Sequence, residues 1–241
     1  MASKVFEERY YRDYIAQDIE NFNITILESD LQIYTDKALQ EPIESELRNI
    51  RAIIEAYIKS YPEFNISFKP VKINANDPPI IKHMKEASKK LGVGPMATVA
   101  GAVGHYLGQK FYQQTKELII ENGGDLYVYS TKDKTILLHG GSEATVKNLS
   151  IKLDKVNLPI GVCTSSGKVG HSKSFGNSDA ITVLAKDTLI ADAAATALGN
   201  LLKHKADIND VLQYSKTFKE LEGVIAIVDD HMGAWGNFEF V

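Results

Sequence analysis

Apolar residues fall at Ile43, Leu47, Ile50, Ile54 and Ile58, the spacing of one helix face, so residues 41–61 predict a helix. Pro42 suits its first turn and Pro62 ends it. Residues 23–34 alternate apolar and polar positions around Glu28-Ser29-Asp30 and predict a hairpin. Residues 64–73 alternate again and predict a strand. Pro78-Pro79 opens a helix running to about Leu91, and Pro95 opens another, rich in small residues, that reaches Gln113. Residues 118–130 predict a central strand broken at Gly123-Gly124, and residues 134–139 a returning strand after a Lys132-Asp133 turn. Residues 179–185 predict a strand, 188–204 a helix, 207–217 a shorter helix and 223–228 a last strand. A glycine- and aromatic-containing tail follows, and residues 4–17 read as a short charged helix or arm. Strands come in hairpins as well as alternating with helices, which favours α+β over a doubly wound sheet. No linker or low-complexity segment divides the chain, so residues 1–241 read as one domain. A strand–helix pattern occurs in both halves without a visible sequence repeat.

Composition narrows the picture. Hydrophobic residues at 44% and charged residues at 24% describe an ordinary globular chain. The net charge of -4 and the absence of a basic block argue against a nucleic-acid partner. Cys163 is the only cysteine, which excludes an internal disulfide and points to a reducing compartment. The first residues are charged from Lys4 onward with no apolar core of a signal peptide. The weakly polar run 91–104 is too short and glycine-rich to span a bilayer. A cytoplasmic protein is expected.

Polar residues concentrate where a core has no use for them. Asp192 and Thr196 lie four apart on one helix face within an alanine-rich run. A carboxylate and a hydroxyl so placed can ligate a hard cation such as magnesium. The plainer alternative is a polar stripe near a helix start, favoured by the helix dipole. Thr164-Ser165-Ser166-Gly167 can hold phosphate oxygens or simply make a turn. His171 is a candidate general base or phosphate ligand, against the alternative of a solvated loop histidine. Cys163, eight residues before it, raises a Cys–His nucleophilic pair, against a small buried hydrophobe. Asn122-Gly123-Gly124-Asp125 interrupts an otherwise apolar run, as a bulge or a close approach of backbone to a ligand would. Gly92-Val93-Gly94-Pro95-Met96-Ala97 matches a dinucleotide fingerprint in letters only, because a helix precedes it instead of a strand. Gly101, Gly104 and Gly108 are read as permitting close helix packing. His231, Trp235 and Gly236 in the tail either line a pocket or order the terminus.

Taken in order, Asn122 to Asp125, Thr164 to Gly167 with His171, and Ala191 to Ala197 resemble the signatures of the ApbE family, magnesium-dependent FAD:protein FMN transferases. The chain is most similar to a small cytoplasmic prokaryotic branch of that family. Motifs carry the resemblance over residues 90–200. It implies an α+β fold of T-fold-like halves, with mixed or antiparallel sheets packed against helices. It further implies Asp192 and Thr196 as magnesium ligands, and Asn122, Gly123, Gly124, Asp125, Thr164, Ser165, Ser166 and Gly167 as the flavin nucleotide site. FAD or FMN and magnesium would be the cofactors, and a protein acceptor a possible partner. The chain departs from the family where the transferases carry a lysine: it reads Pro95-Met96-Ala97-Thr98. Ser172, not an Asp-Pro pair, follows His171.

Three functions follow. The first is a magnesium-dependent flavin transferase or FAD pyrophosphate-cleaving enzyme, with the metal on the diphosphate and His171 assisting proton transfer. The second is a non-catalytic flavin- or nucleotide-binding protein supporting sulfur assimilation into homocysteine. The third is a Cys163/His171 thiol enzyme.

Overall fold

The computed structural model describes residues 19–138, 149–166 and 180–241. The arm expected at residues 4–17 lies outside them.

Two strands open the chain, β1 (Asn21–Ile26) and β2 (Ser29–Thr35), paired as the expected hairpin. The helices α1 (Gln40–Ser60), α2 (Glu63–Ile66), α3 (Pro79–Leu91) and α4 (Val99–Phe111) follow. Next come β3 (Glu117–Asn122), β4 (Asp125–Ser130), β5 (Lys134–Leu138), β6 (Leu149–Leu153), β7 (Ile160–Ser165) and β8 (Ala180–Ala185). The helices α5 (Thr188–Leu201) and α6 (Ile208–Ser215) precede β9 (Leu221–Val228), β10 (His231–Gly236) and β11 (Glu239–Phe240).

Eight strands form one sheet in the order β1-β2-β3-β4-β7-β8-β9-β10, and each pairing in it is antiparallel. Each half runs hairpin, helices, hairpin: β1-β2, α1 to α4, β3-β4, then β7-β8, α5-α6, β9-β10. The two halves join along β4 and β7, where Leu126 faces Val162 and Tyr127 faces Gly161. Strand alternation sorts the core into two layers. Leu31, Ile33, Leu118, Ile120, Tyr127, Cys163, Ile181 and Val183 turn to the helices. Ile119, Leu126, Val128, Ile160, Val162 and Leu184 turn to the other face, which the small sheet β11-β6-β5 covers. The fold is therefore α+β, with antiparallel sheets packed against helices.

Local rules account for the helix ends. α3 takes proline in its first turn and ends on Gly92 in the left-handed conformation, φ +73°. The Asp187 side chain caps α5 by accepting from the Leu189 N–H at 2.9 Å. The glycines of α4 serve close packing, as expected. A β-carbon on Gly101 would lie 2.5 Å from the Thr188 carbonyl oxygen, and one on Gly108 2.4 Å from the Tyr127 ring.

Three expectations are corrected. Residues 64–73 form no strand: Phe64 is buried in the one-turn helix α2, and the chain from 67 to 78 has no regular structure. The buried Lys85 ammonium holds that segment instead, donating to Tyr57 Oη at 2.6 Å, the Lys72 carbonyl at 2.8 Å and Asp77 Oδ2 at 2.8 Å. Residues 118–130 are two strands, not one broken strand: Asn122 pairs with Asp125 across a two-residue turn at Gly123-Gly124. Both glycines have positive φ, +67° and +100°, the geometry that suits the twist of a tight hairpin. β5 does not return along β4 but pairs with β6 in the small sheet. The tail is ordered, the second of its two sequence readings, because β10 pairs with β9 and β11 with β6.

Candidate functional site

The seam between the halves gathers most of the expected polar residues. The β3–β4 turn and the C-terminal end of β7 meet there, and α4 and α5 lie over them. Asn122 Nδ2 contacts the Ala100 carbonyl in the first turn of α4 at 3.4 Å. Asp125 opens β4, and its Oδ1 accepts the Thr164 N–H of β7 at 3.1 Å. Asp125 shares the helix-facing side of β4 with Tyr127, two residues on. Cys163 occupies the same side of β7, and Ser165 lies beside Gly199 of α5.

Asp192 approaches from above. It sits past the first turn of α5, so its own helix dipole does not account for it. Its Oδ2 accepts the Gly101 N–H at 2.8 Å. That N–H belongs to the first turn of α4, whose donors have no intrahelical partner. The Thr98 side chain leaves it uncapped, since its hydroxyl donates to the Pro95 carbonyl at 2.7 Å. Asp192 thus caps α4 from a neighbouring helix, and the absence of a Gly101 side chain permits the approach.

The electrostatics follow from this crowding. Burial raises the Asp192 carboxyl to about 7, and the Gly101 hydrogen bond only partly opposes it. Burial, then the Asp192 charge, raise Asp125 well above the ordinary carboxylate range. Two buried carboxyls, one raised by the charge of the other, hold their negative charge poorly unless a cation joins them. Their donor atoms are oxygens, and Thr196 lies one turn beyond Asp192 on the same face of α5. Among the described residues no three or more His, Cys, Asp or Glu side chains form a metal cluster. The seam is thus a partial oxygen site, suited to an ion that keeps waters and ligand phosphates.

Not every expected residue joins it. Gly123 and Gly124 have no neighbour within 4 Å of where a β-carbon would stand. Their positive φ requires glycine at both positions, and the space beside them is open. The Thr164 hydroxyl turns to the opposite face and pairs with the Thr182 hydroxyl at 2.8 Å, so only its backbone faces Asp125. Ser165 and Ser166 are half-buried at the end of β7. Gly167 and His171 lie outside the described residues. Cys163 is fully buried, its thiol 3.6 Å from the Thr188 carbonyl. Burial, then the charges of Asp125 and Asp192, push that thiol well up, the reverse of a nucleophilic cysteine. His231 and Trp235 belong to the edge strand β10, far in the sheet order from the seam, and Trp235 Nε1 donates to Ser215 Oγ at 2.8 Å. Glu121, which directly precedes the Asn122 to Asp125 motif, is buried and accepts the Gly124 N–H at 2.8 Å, fixing the turn. Gly101, read from sequence as a packing glycine, also supplies the donor for Asp192, a role that pattern along the chain did not show.

This topology and seam place the chain in the ApbE-like class of α+β proteins. Solved structures of that class share its fold. The Pseudomonas stutzeri flavinyl transferase ApbE in its apo form superposes with TM-score 0.53 at 13% identity, over 90% of this chain and 94% of that one. The apbe protein of Thermotoga maritima gives TM-score 0.54 at 13% identity, over 92% and 96%. The family model described as AbpE bacteria matches residues 12–218, and the chain belongs to that family. Its relatives include a UPF0280 protein of Methanococcus aeolicus, 39% identical over 220 residues and 88% of each chain. Another, from Methanocaldococcus jannaschii, is 37% identical over 206 residues, 83% of this chain and 84% of that one.

Proposed function

We propose that the seam binds a flavin nucleotide with magnesium, and that the protein is a magnesium-dependent flavin transferase or FAD pyrophosphate-cleaving enzyme of the ApbE type. The observation that carries this is that each half brings one buried carboxyl to the seam, Asp125 accepting the Thr164 N–H and Asp192 accepting the Gly101 N–H. Asp192 and Thr196 would hold the ion, with Asp125 next to it. Bound there, magnesium would neutralise charge developing on a diphosphate as its bond breaks. The turn from Asn122 to Asp125 and the end of β7 from Thr164 through Ser166 would border the nucleotide, with Gly167 and His171 following in sequence. The fold shared with ApbE transferases supports the class of ligand, and the acidic pair supports the metal.

The chain acts as a single unit in this reading, since the proposed site draws on both halves. A Cys163 nucleophile is not supported, because its thiol is buried and hard to ionise.

The test is thermal shift with FAD, FMN and ADP, with and without magnesium, followed by assay of AMP release from FAD. A magnesium-dependent rise in melting temperature with FAD is expected, by mass action on the folded state. AMP release with magnesium identifies an enzyme, whereas binding without release identifies a flavin carrier. No shift with any flavin, at any magnesium concentration, refutes the proposal.

A further inference from the structure

A second polar cluster lies at the start of α5, away from the seam. His83 of α3 and Asp187 meet through His83 Nε2 and Asp187 Oδ2 at 2.7 Å, with side chains 28% and 31% exposed. The other Asp187 oxygen caps α5 through the Leu189 N–H and lies 3.8 Å from Nδ1 of His105 on α4. That distance is too long for a hydrogen bond, and the buried His105 Nδ1 has no hydrogen-bond partner among the described residues. The rings of His83, His105 and Tyr106 surround the carboxylate, with centroids 5.4 to 6.0 Å apart. One carboxylate therefore ties α3 to the cap of α5 and faces a second imidazole on α4. Five residues along α5 from this tie stands Asp192, which grips the first turn of α4.

We infer that His83 is a positioning residue: through Asp187 it sets how α5 seats against α4, and its protonation tightens that seat. The inference rests on the proposed function only for its consequence, namely that α5 carries Asp192 and Thr196 to the ligand. The groups facing His83 are Asp187 at α5, Glu86 on its own helix, and His105 and Tyr106 on α4. The Asp187 hydrogen bond, against the cost of burial, raises the His83 pKa above its ordinary 6.5. Burial lowers that of His105, with the Asp187 charge opposing the fall and a protonated His83 adding to it. A histidine with a raised folded pKa adds stability that is fully present below 6.5 and lost as pH rises through its folded value.

The experiment follows the full chain by NMR and thermal melting from pH 6 to 8.5, as wild type, His83→Gln, His105→Gln and Asp187→Asn. Gln keeps a hydrogen-bonding group, and Asn keeps the helix cap. Titration of Asp192 is common to wild type and His83→Gln and cancels between them. The inference expects the His83 ring to titrate above 6.5 in wild type and to fall back toward 6.5 in Asp187→Asn. It expects the Gly101 amide to exchange several-fold faster in His83→Gln than in wild type at pH 6, with the two converging by pH 8.5. Equal Gly101 exchange at pH 6, or a pH dependence that survives His83→Gln and disappears only in His105→Gln, overturns it. These readouts use no ligand, so failure of flavin binding leaves the inference standing, and its own failure leaves the flavin proposal untouched.

Discussion

Asp192 of α5 accepts the Gly101 N–H of α4 at 2.8 Å and thereby caps a helix to which it does not belong. The same carboxyl is raised to about 7 by burial. Its folded pKa exceeds the ordinary 3.8, so the folded state binds more protons than the unfolded one between those values. The metal-free protein should lose stability as pH rises from about 4 to 7. Asp192→Asn keeps an oxygen acceptor for Gly101 and removes that titration. Without magnesium at pH 8 it should be as stable as wild type or more so, by up to a few kcal/mol. Magnesium should raise the wild-type melting temperature at pH 8 and leave the variant unmoved. A variant that melts well below wild type in metal-free buffer at pH 8 would mean that the ionised carboxylate is favoured there, against a raised pKa.

Gly104 and Gly108 lie one turn apart on α4 but should respond oppositely to alanine. A β-carbon at Gly104 meets Tyr127 Cβ at 3.6 Å, an ordinary contact. Gly104→Ala should therefore gain helix propensity, up to about 1 kcal/mol. At Gly108 the same atom would stand 2.4 Å from the ring of Tyr127, which is fully buried. Gly108→Ala should cost about 1–3 kcal/mol by forcing the ring aside. Urea unfolding of the two variants decides the matter, and equal effects would contradict the packing described.

Lys85 and Asp77 form an ion pair at 2.8 Å with both side chains 2% exposed. Lys85→Met leaves the Asp77 charge buried without its partner and should cost about 3–5 kcal/mol. Hydrogen bonds from Lys85 and Tyr57 overcome burial and lower Asp77 to about 2. Its contribution is therefore present above 3.8 and lost as pH falls toward 2. Acid denaturation of wild type and Lys85→Met, followed by circular dichroism, should draw together as pH falls from about 4 toward 2. Curves that stay parallel down to pH 2 would remove the ion pair as their cause.

Cys163 should resist alkylation in the native protein at pH 8 and react freely in urea, because burial both shields the thiol and raises its pKa. Rapid native labelling by iodoacetamide, with loss of flavin binding, would reopen the thiol reading.

Much of the fold was legible along the chain because its signals are local. The Ile43 to Ile58 spacing, the Pro78-Pro79 start and the apolar block before Ala185 each act within a few residues and mark α1, α3 and β8. The residues of the seam were legible for the same reason: Asp125 and Asp192 are carboxylates in apolar surroundings. What they do there was not. Gly123-Gly124 reads in sequence as a bulge or a close approach to a ligand, and only the pairing of Asn122 with Asp125 shows that the two glycines form a hairpin turn. The alternation after Phe64 promised a strand, but a strand needs a neighbour, and the buried Lys85 took that backbone instead. Asp192 looked like part of its own helix, while its partner, Gly101, lies 91 residues earlier. Pattern along the chain marked every helix but α2, most strands and the identity of the polar groups. Tertiary structure alone decided which carboxyl faces which, because charge, burial and hydrogen bonding depend on distance through space, which pattern along the chain does not encode.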